Sequence, residues 1–237
     1  MTRPKSSQGF MERGLFTRPF LYRLKRFVIE QVIWRWILSG IFRLSPKPMP
    51  DVSEVVRGKR VLLAACGPGN VSTGPPVDAA QQVVAFDIAP EFVEACQRNR
   101  PEWKLCCGDV VQIPFGDRTF DVGVMYSALH HIPAEAARVL AELNRVTAGR
   151  ILLVEGLVPE RGLLRRALLI WYAIVDGGIH YYTRAELTDT FEHLGLKVET
   201  TGQYGPIRHM MLTVLTTAPE RRKGAGATRR KGDTAAC

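Results

Sequence analysis

Long uncharged hydrophobic runs are what this chain lacks first. Its greasiest stretch, Phe20 to Leu44, is cut by Glu30 and Arg35. A membrane-spanning helix needs roughly 20 apolar residues in a row, so this stretch is not expected to cross a bilayer. No uninterrupted apolar core with a small-residue cleavage site is visible either, which argues against a secretory signal. The five cysteines, Cys66, Cys96, Cys106, Cys107 and Cys237, include no C-x-x-C pair and suggest no disulfide framework. That suits a reducing cytoplasm. Adjacent Cys106 and Cys107 have no histidines at ligand spacing, so they are expected in the core and no metal site is expected.

Acidic residues are scarce at both ends. Residues 1–60 carry thirteen Lys/Arg against four Asp/Glu, a net of +9, and the tail from Glu220 carries six against two, a net of +4. The middle has thirteen against seventeen, a net of −4, so the formal +9 belongs to the appendages. Basic appendages suit an anionic surface, lipid headgroups or RNA, or are simply solvated. With 46% hydrophobic residues among 237, the chain can bury a real core, which excludes global disorder. Its length fits one α/β domain plus extensions.

What is present is organised around Val61-Leu-Leu-Ala-Ala-Cys66-Gly67-Pro68-Gly69. A short apolar run stops in Gly-Pro-Gly, and Asp87 follows eighteen positions beyond Gly69, closing Val83-Val84-Ala85-Phe86. The pattern predicts a buried strand, a glycine turn, a crossover and a second buried strand ending in a carboxylate. An α/β sheet holds a nucleoside this way, with glycines letting the backbone approach and the carboxylate taking the ribose diol. A dinucleotide dehydrogenase is disfavoured, because the third glycine of G-x-G-x-x-G is missing. Further on come Gly108-Asp109, Ile113-Pro114-Phe115, and Phe120-Asp121-Val122 running to Leu129-His130-His131.

This series, from about Arg57 to Thr217, resembles the class I S-adenosylmethionine-dependent methyltransferases, in particular the broad group acting on small molecules. The resemblance implies a Rossmann-like α/β fold with a mostly parallel seven-stranded sheet, helices on both faces, and S-adenosylmethionine as cofactor. It implies that Cys66, Gly67 and Gly69 pass under the methionine half of that cofactor, with Tyr126 beside it. Asp87 would take the ribose hydroxyls, Ile88 would lie on the adenine, and Asp109 with the backbone of Val110 would hold the adenine edge. Two positions depart from the family pattern: Leu63 stands where an acid is usual, and Ala65 where a glycine is usual.

Three units are expected. Residues 1–50 form a basic, Trp-rich extension, with residues 1–19 flexible and Phe20–Leu44 helical. That helix is a lid over the site, a membrane-surface element with Trp34 and Trp36 as interfacial anchors and Arg23, Lys25, Arg26, Arg35 and Arg43 toward headgroups, or both. Residues 51–218 form the methyltransferase domain, and 219–237 a disordered basic tail. Gly74-Pro75-Pro76 breaks the first crossover helix. Strands are expected at 60–65, 82–86, 103–107, 120–126 and 150–155, with an antiparallel pair at 197–200 and 210–217. Helices are expected at 90–98 and 134–147. A cap insertion spans about 157–182 and holds an apolar helix from Leu163 to Val175. Thr183-Arg-Ala-Glu186 is a capping box that opens a helix stopped by Gly195.

Methyl transfer is an in-line displacement governed by positioning, with a base required only when the nucleophile carries a proton. His130 and His131, at the mouth of the pocket, are the candidate bases. Trp171, His180, Tyr181 and Tyr182 in the cap are candidates for binding the acceptor, and Tyr204, Arg208 and His209 form a further cluster. The Asn/Asp-Pro-Pro-Tyr element of amino-group base methylation is absent after strand four, as is a Pro-Cys nucleophile for cytosine carbon methylation. Nucleic acid is therefore not the expected partner.

The reading is a cytoplasmic transferase that methylates a small apolar or lipid-like metabolite, with peripheral docking on an anionic membrane surface as a further expectation. The alternatives are a repurposed methyltransferase-fold binding protein, motivated by Leu63 and the Gly-Pro-Pro break, and an RNA methyltransferase, motivated by the basic ends. The oligomeric state is not specified by the sequence.

Overall fold

The computed structural model of the chain describes residues 47–69, 77–175, 178–205 and 209–217. The expectations for the Trp-rich helix, the basic tail, the Gly-Pro-Pro stretch and Arg208 lie outside these residues.

A sheet of seven strands forms the middle of the molecule: β1 (Arg60–Ala64), β2 (Gln82–Asp87), β3 (Lys104–Cys107), β4 (Phe120–Tyr126), β5 (Thr147–Gly156), β6 (Lys197–Tyr204) and β7 (Met210–Thr216). The spatial order is β3-β2-β1-β4-β5-β7-β6. β1 to β5 pair in parallel, and β7 runs antiparallel to both β5 and β6. β1 is central, and Val61, Leu62, Leu63 and Ala64 are all buried, as a strand covered on both faces requires.

Alternation along β1 divides the core in two. Leu62 and Ala64 face one cluster with Phe86, Leu140, Leu143 and Phe191, while Val61 and Leu63 face the other with Val56, Cys96, Val124 and Tyr204. The first cluster is covered by α3 (Ala136–Val146) and α5 (Arg184–His193), and the second by α1 (Ser53–Val56) and α2 (Pro90–Asn99). In α3 the buried residues Ala136, Val139, Leu140, Leu143 and Val146 fall at helical spacing and form one apolar stripe. α4 (Leu163–Val175) lies between β5 and α5, inside the expected cap insertion, and packs through Leu168 and Tyr172 onto a small cluster with Val158 and Tyr181.

Most of the expected elements are present, with informative differences at their ends. The helix expected over 134–147 begins as a 3-10 turn at Pro133–Glu135, and Thr147 already belongs to β5. β6 extends to Tyr204 rather than Thr200. It is an edge strand held by backbone pairing, and its first five residues are exposed, so no hydrophobic pattern marks its length. The capping box at Thr183 is complete: Glu186 N donates to the Thr183 hydroxyl, and Thr183 N to the Glu186 carboxylate. Gly195, at φ +68, follows the end of that helix. Between β1 and β2 the only described helical turn is a 3-10 turn at Val77–Ala79.

Candidate functional site

The strand order reverses between β1 and β4, and in open α/β sheets ligands bind at that switch point, beyond the carboxyl ends of the strands. The residues singled out from the sequence gather there in two groups.

The first group follows β1 and β2. The chain leaves β1 through Ala65 at φ +54, Gly67 at +54 and Gly69 at +73, three left-handed residues alternating with Cys66 and Pro68. Glycine adopts that region without penalty, whereas alanine is strained there by about 1 kcal/mol. Among the described residues a side chain at Gly67 would meet nothing within 4 Å, so none of them fills the space beside its backbone. A Cβ at Gly69 would lie 2.7 Å from the Cys96 sulfur, so close packing on α2 also demands glycine there.

Asp87, at the end of β2, is only 6% exposed. Its Oδ2 accepts from Gly67 N at 2.8 Å and its Oδ1 from Ala89 N at 3.0 Å, so the carboxylate ties the glycine turn to the second strand. Burial pushes its pKa up from the ordinary carboxylate value, and the amide donors oppose that shift. Beyond these amide bonds the carboxylate keeps acceptor capacity for a ligand hydroxyl. Ile88 is half-buried next to it. Beyond β3, Asp109 Oδ1 accepts from Val111 N at 3.0 Å, which turns the chain so that Val110 is buried. The loop after it is pinned from α3: Arg145 donates to the carbonyls of Ile113 and Phe115, both at 2.9 Å, and Glu142 accepts from Ile113 N. The Ile-Pro-Phe motif therefore anchors the loop that positions Asp109.

Leu63 is 2% exposed and belongs to the core. Its strand partner on β4 is Val124, and Tyr126 lies two residues further along that same face. The Tyr204 hydroxyl donates to the Tyr126 hydroxyl at 3.4 Å. A pair of phenols thus stands one step beyond the position where an acid was expected.

The second group surrounds Glu155, a residue that sequence reasoning left as a strand end. Its side chain is fully buried. Oε1 accepts from Ala128 N at 3.0 Å and Leu129 N at 2.8 Å, capping the 3-10 turn Leu129–His131, and Oε2 lies 2.6 Å from His130 Nδ1. In the tautomer that donates Nδ1–H to Glu155, Nε2 is the ring's acceptor nitrogen. His130 is buried and packs between His131, at 4.2 Å, and Tyr181, at 4.9 Å. Tyr181 stacks in turn on Tyr172 at 4.1 Å, and His209 follows at 5.9 Å. Burial lowers the His209 pKa to about 4.

Backbone contacts lock this stack. Ile179 N and His180 N donate to the His130 carbonyl, and Gly178 N to the Tyr181 hydroxyl. At Gly178 a Cβ would collide with both His130 and Tyr181, and at Gly156 it would press into Tyr172, so the cap loop and α4 come as close to the sheet as glycine permits.

Of the other candidates, Tyr182 is buried, and its pKa is pushed up by burial and then by Glu155 and Glu186. Its hydroxyl has no hydrogen-bond partner among the described residues. His180 is half-exposed, 3.5 Å from Glu186, with its ring edge-on to Tyr182. Trp171 is partly buried beside the Tyr172–Tyr181 pair. His131 is more accessible than His130. Among the described residues no group of three or more His, Cys, Asp or Glu could hold a metal ion.

Comparison with known proteins places this geometry. Residues 62–153 match the family model Methyltransf_11, described as a methyltransferase domain. Demethylmenaquinone methyltransferase from Renibacterium salmoninarum is 34% identical over 117 residues, 48% of either chain. The chain spans about half the length of the curated relatives it matches. Among solved structures, S-adenosylmethionine-dependent methyltransferase from Methanosarcina mazei superposes with TM-score 0.57 at 16% identity, over 73% of this chain and all of that one. The [4+2]-cyclase SpnF does so with TM-score 0.55 at 16% identity, over 83% and 80%. At these identities the structures speak for the fold, and it is the Rossmann-like class I methyltransferase fold.

Proposed function

We propose that the chain is an S-adenosylmethionine-dependent methyltransferase whose acceptor is a lipid-like ring compound of the quinone type. The observation that carries the reading is the buried Asp87 carboxylate, bonded to the glycine turn at the mouth of β1 and β2. The methyltransferase domain match supports the chemistry, and the demethylmenaquinone methyltransferase relatives support the acceptor class.

The residues fit the cofactor. Open space beside Gly67 admits a ligand against the backbone, Asp87 has acceptor capacity left for a ribose diol, and Ile88 offers an apolar surface for a base. Asp109 and the Val110 backbone flank the far side. Cys66, Gly67 and Gly69 would hold the methionine half, and the Tyr126–Tyr204 hydroxyls would accept from its amino group in place of an acid at Leu63. When bound, the cofactor supplies a methyl group on a sulfonium sulfur.

On the acceptor side the partly exposed rings of Trp171 and His180 would receive a planar ring, with buried Tyr181 and Tyr182 packed behind them. His130, held by Glu155, takes the proton from an acceptor hydroxyl, which raises the nucleophilicity of the ring; once the methyl is on the ring carbon, that carbon gives up its own proton and the hydroxyl re-forms with the proton from His130, so one proton is released per methyl transferred. Glu155 stabilises the imidazolium that results. His131, nearer the opening, orients the acceptor. The aromatic packing excludes water from the transfer.

The test is calorimetric titration of S-adenosylmethionine into wild type and Asp87→Ala, followed by methyl transfer to a short-chain demethylmenaquinol. Binding by wild type that is lost in the variant, with transfer, supports the reading; transfer undiminished by Asp87→Ala overturns it. A second reading is a repurposed methyltransferase fold that binds without turnover. Buried Leu63 in place of an acid, and Ala65 strained where glycine would be relaxed, favour it. Wild type that binds no S-adenosylmethionine, with or without acceptor, would decide for this second reading. The basic segments that motivate RNA as substrate lie outside the described residues.

A further inference from the structure

α4 has one apolar face too many. Its buried face, Leu168 and Tyr172, packs on Val158 and Tyr181. On the far side of the helix Leu163 is 82% exposed and Ile170 63%, with exposed Ala167 between them, and Leu164, on the flank one turn from Leu168, is 52% exposed. At 3.6 residues per turn, Leu163, Ala167 and Ile170 fall on one stripe centred nearly opposite the buried pair. Ile179, in the loop returning from α4, is 58% exposed. A helix that is apolar all round is normally covered on every side.

The charges on α4 itself have one sign. α4 contains no acidic residue; Arg165 and Arg166 lie on it and Arg161 just before it, while the acids Glu160 and Asp176 fall outside its two ends in the sequence. Arg166 and Arg161 are exposed, while Arg165 is held by a bond to the Pro159 carbonyl at 2.9 Å. Leucine and isoleucine flanked by arginine, with no carboxylate among them, match the boundary between acyl chains and anionic headgroups. Thirteen residues span only about 20 Å, well short of a hydrocarbon core, so such a helix lies in the interface rather than across it.

We propose that the outer face of α4 is a docking surface for an anionic lipid bilayer. It is formed by Leu163, Leu164, Ala167 and Ile170, and steered by Arg161 and Arg166. The inner face of the same helix backs the aromatic stack, so docking sets that stack at the lipid boundary, where an acceptor with a long apolar chain would be delivered without leaving the bilayer. The surface stands on the residues of α4 alone and does not depend on the proposed reaction.

The experiment is co-sedimentation of the full-length chain with vesicles of phosphatidylcholine alone and with about a third phosphatidylglycerol. Wild type is expected to bind the anionic vesicles and to be released by salt. The double variant Leu163→Asp/Ile170→Asp should bind at least about tenfold more weakly, and Arg161→Glu/Arg166→Glu should lose the preference for anionic lipid. These side chains are exposed, so unchanged circular dichroism and Tm are expected and report that both variants fold. Methyl transfer to a water-soluble short-chain acceptor, retained in the variants while vesicle binding falls, separates docking from chemistry. The proposal is overturned if wild type binds neither vesicle, or if Leu163→Asp/Ile170→Asp binds like wild type, which would assign docking to another segment such as the basic residues 1–46. It is equally overturned if that variant converts a dimer to a monomer without affecting lipid, which would make a second copy the occupant.

Discussion

The two halves of the cleft are built on different principles. The half beyond β1, β2 and β3 is made of backbone: left-handed turns, amide donors converging on Asp87, and a loop pinned by Arg145. The half beyond β4 and β5 is made of side chains: a buried carboxylate, two histidines and two stacked tyrosines drawn from four separate stretches of chain. A backbone cradle suits a ligand that is always the same. A side-chain wall can be respecified by substitution, which is how one fold comes to serve many acceptors.

The contrast can be broken at its two carboxylates. Asp87→Ala should have the largest effect, weakening cofactor binding by about a hundredfold, because it removes the ribose acceptor and frees the Gly67 amide. The raised pKa of Asp87 adds a pH signature: affinity should fall on acidification, beginning above the usual carboxylate range near 4. Calorimetry across pH checks both.

Glu155→Gln should act on the other half alone. Cofactor affinity should be unchanged while methyl transfer drops about 10- to 100-fold, since an amide can neither fix the His130 tautomer nor stabilise its cation. Glu155→Ala should also destabilise the fold by about 2–4 kcal/mol, because two amides and an imidazole lose their buried partner. Steady-state kinetics and chemical denaturation separate the two effects.

A smaller effect comes from His209. Its folded pKa near 4 lies below the unfolded value of 6.5, so the unfolded chain binds more protons between those values. Its contribution is complete above pH 6.5 and is lost as pH falls through about 4, roughly 1–2 kcal/mol after allowance for its partial exposure. His209→Gln should flatten this part of the stability profile. The smallest change is Ala65→Gly, which should relax the turn and raise stability by up to about 1 kcal/mol, less the entropy glycine adds to the unfolded chain. Urea denaturation measures it, and a loss of stability would show that the left-handed turn is not strained.

The same division governs how much could be read from the chain. Asp87, Asp109, the glycine turn and the Ile-Pro-Phe loop are close in sequence to the strands that carry them, so spacing located them. Glu155 was visible only as the acid closing an apolar run. That its partner is His130, twenty-five residues earlier, depends on β4 and β5 lying side by side. Tyr172 and His209 were likewise invisible as neighbours, because α4 folds back across the β5–β7 end through close approaches at Gly156 and Gly178.

By itself the sequence determined most of the elements, the parallel order implied by alternating strands and helices, and the meeting of the glycine turn with Asp87 at the ends of β1 and β2. These rest on local periodicity, turn chemistry and short spacing. Only the tertiary structure decided the length of β6, the burial of His130 against Glu155, the aromatic stack, and the exposure of α4 on its outer side. Those features depend on which surfaces meet across the sheet. Burial is a property of packed neighbours, and no run of residues carries it alone.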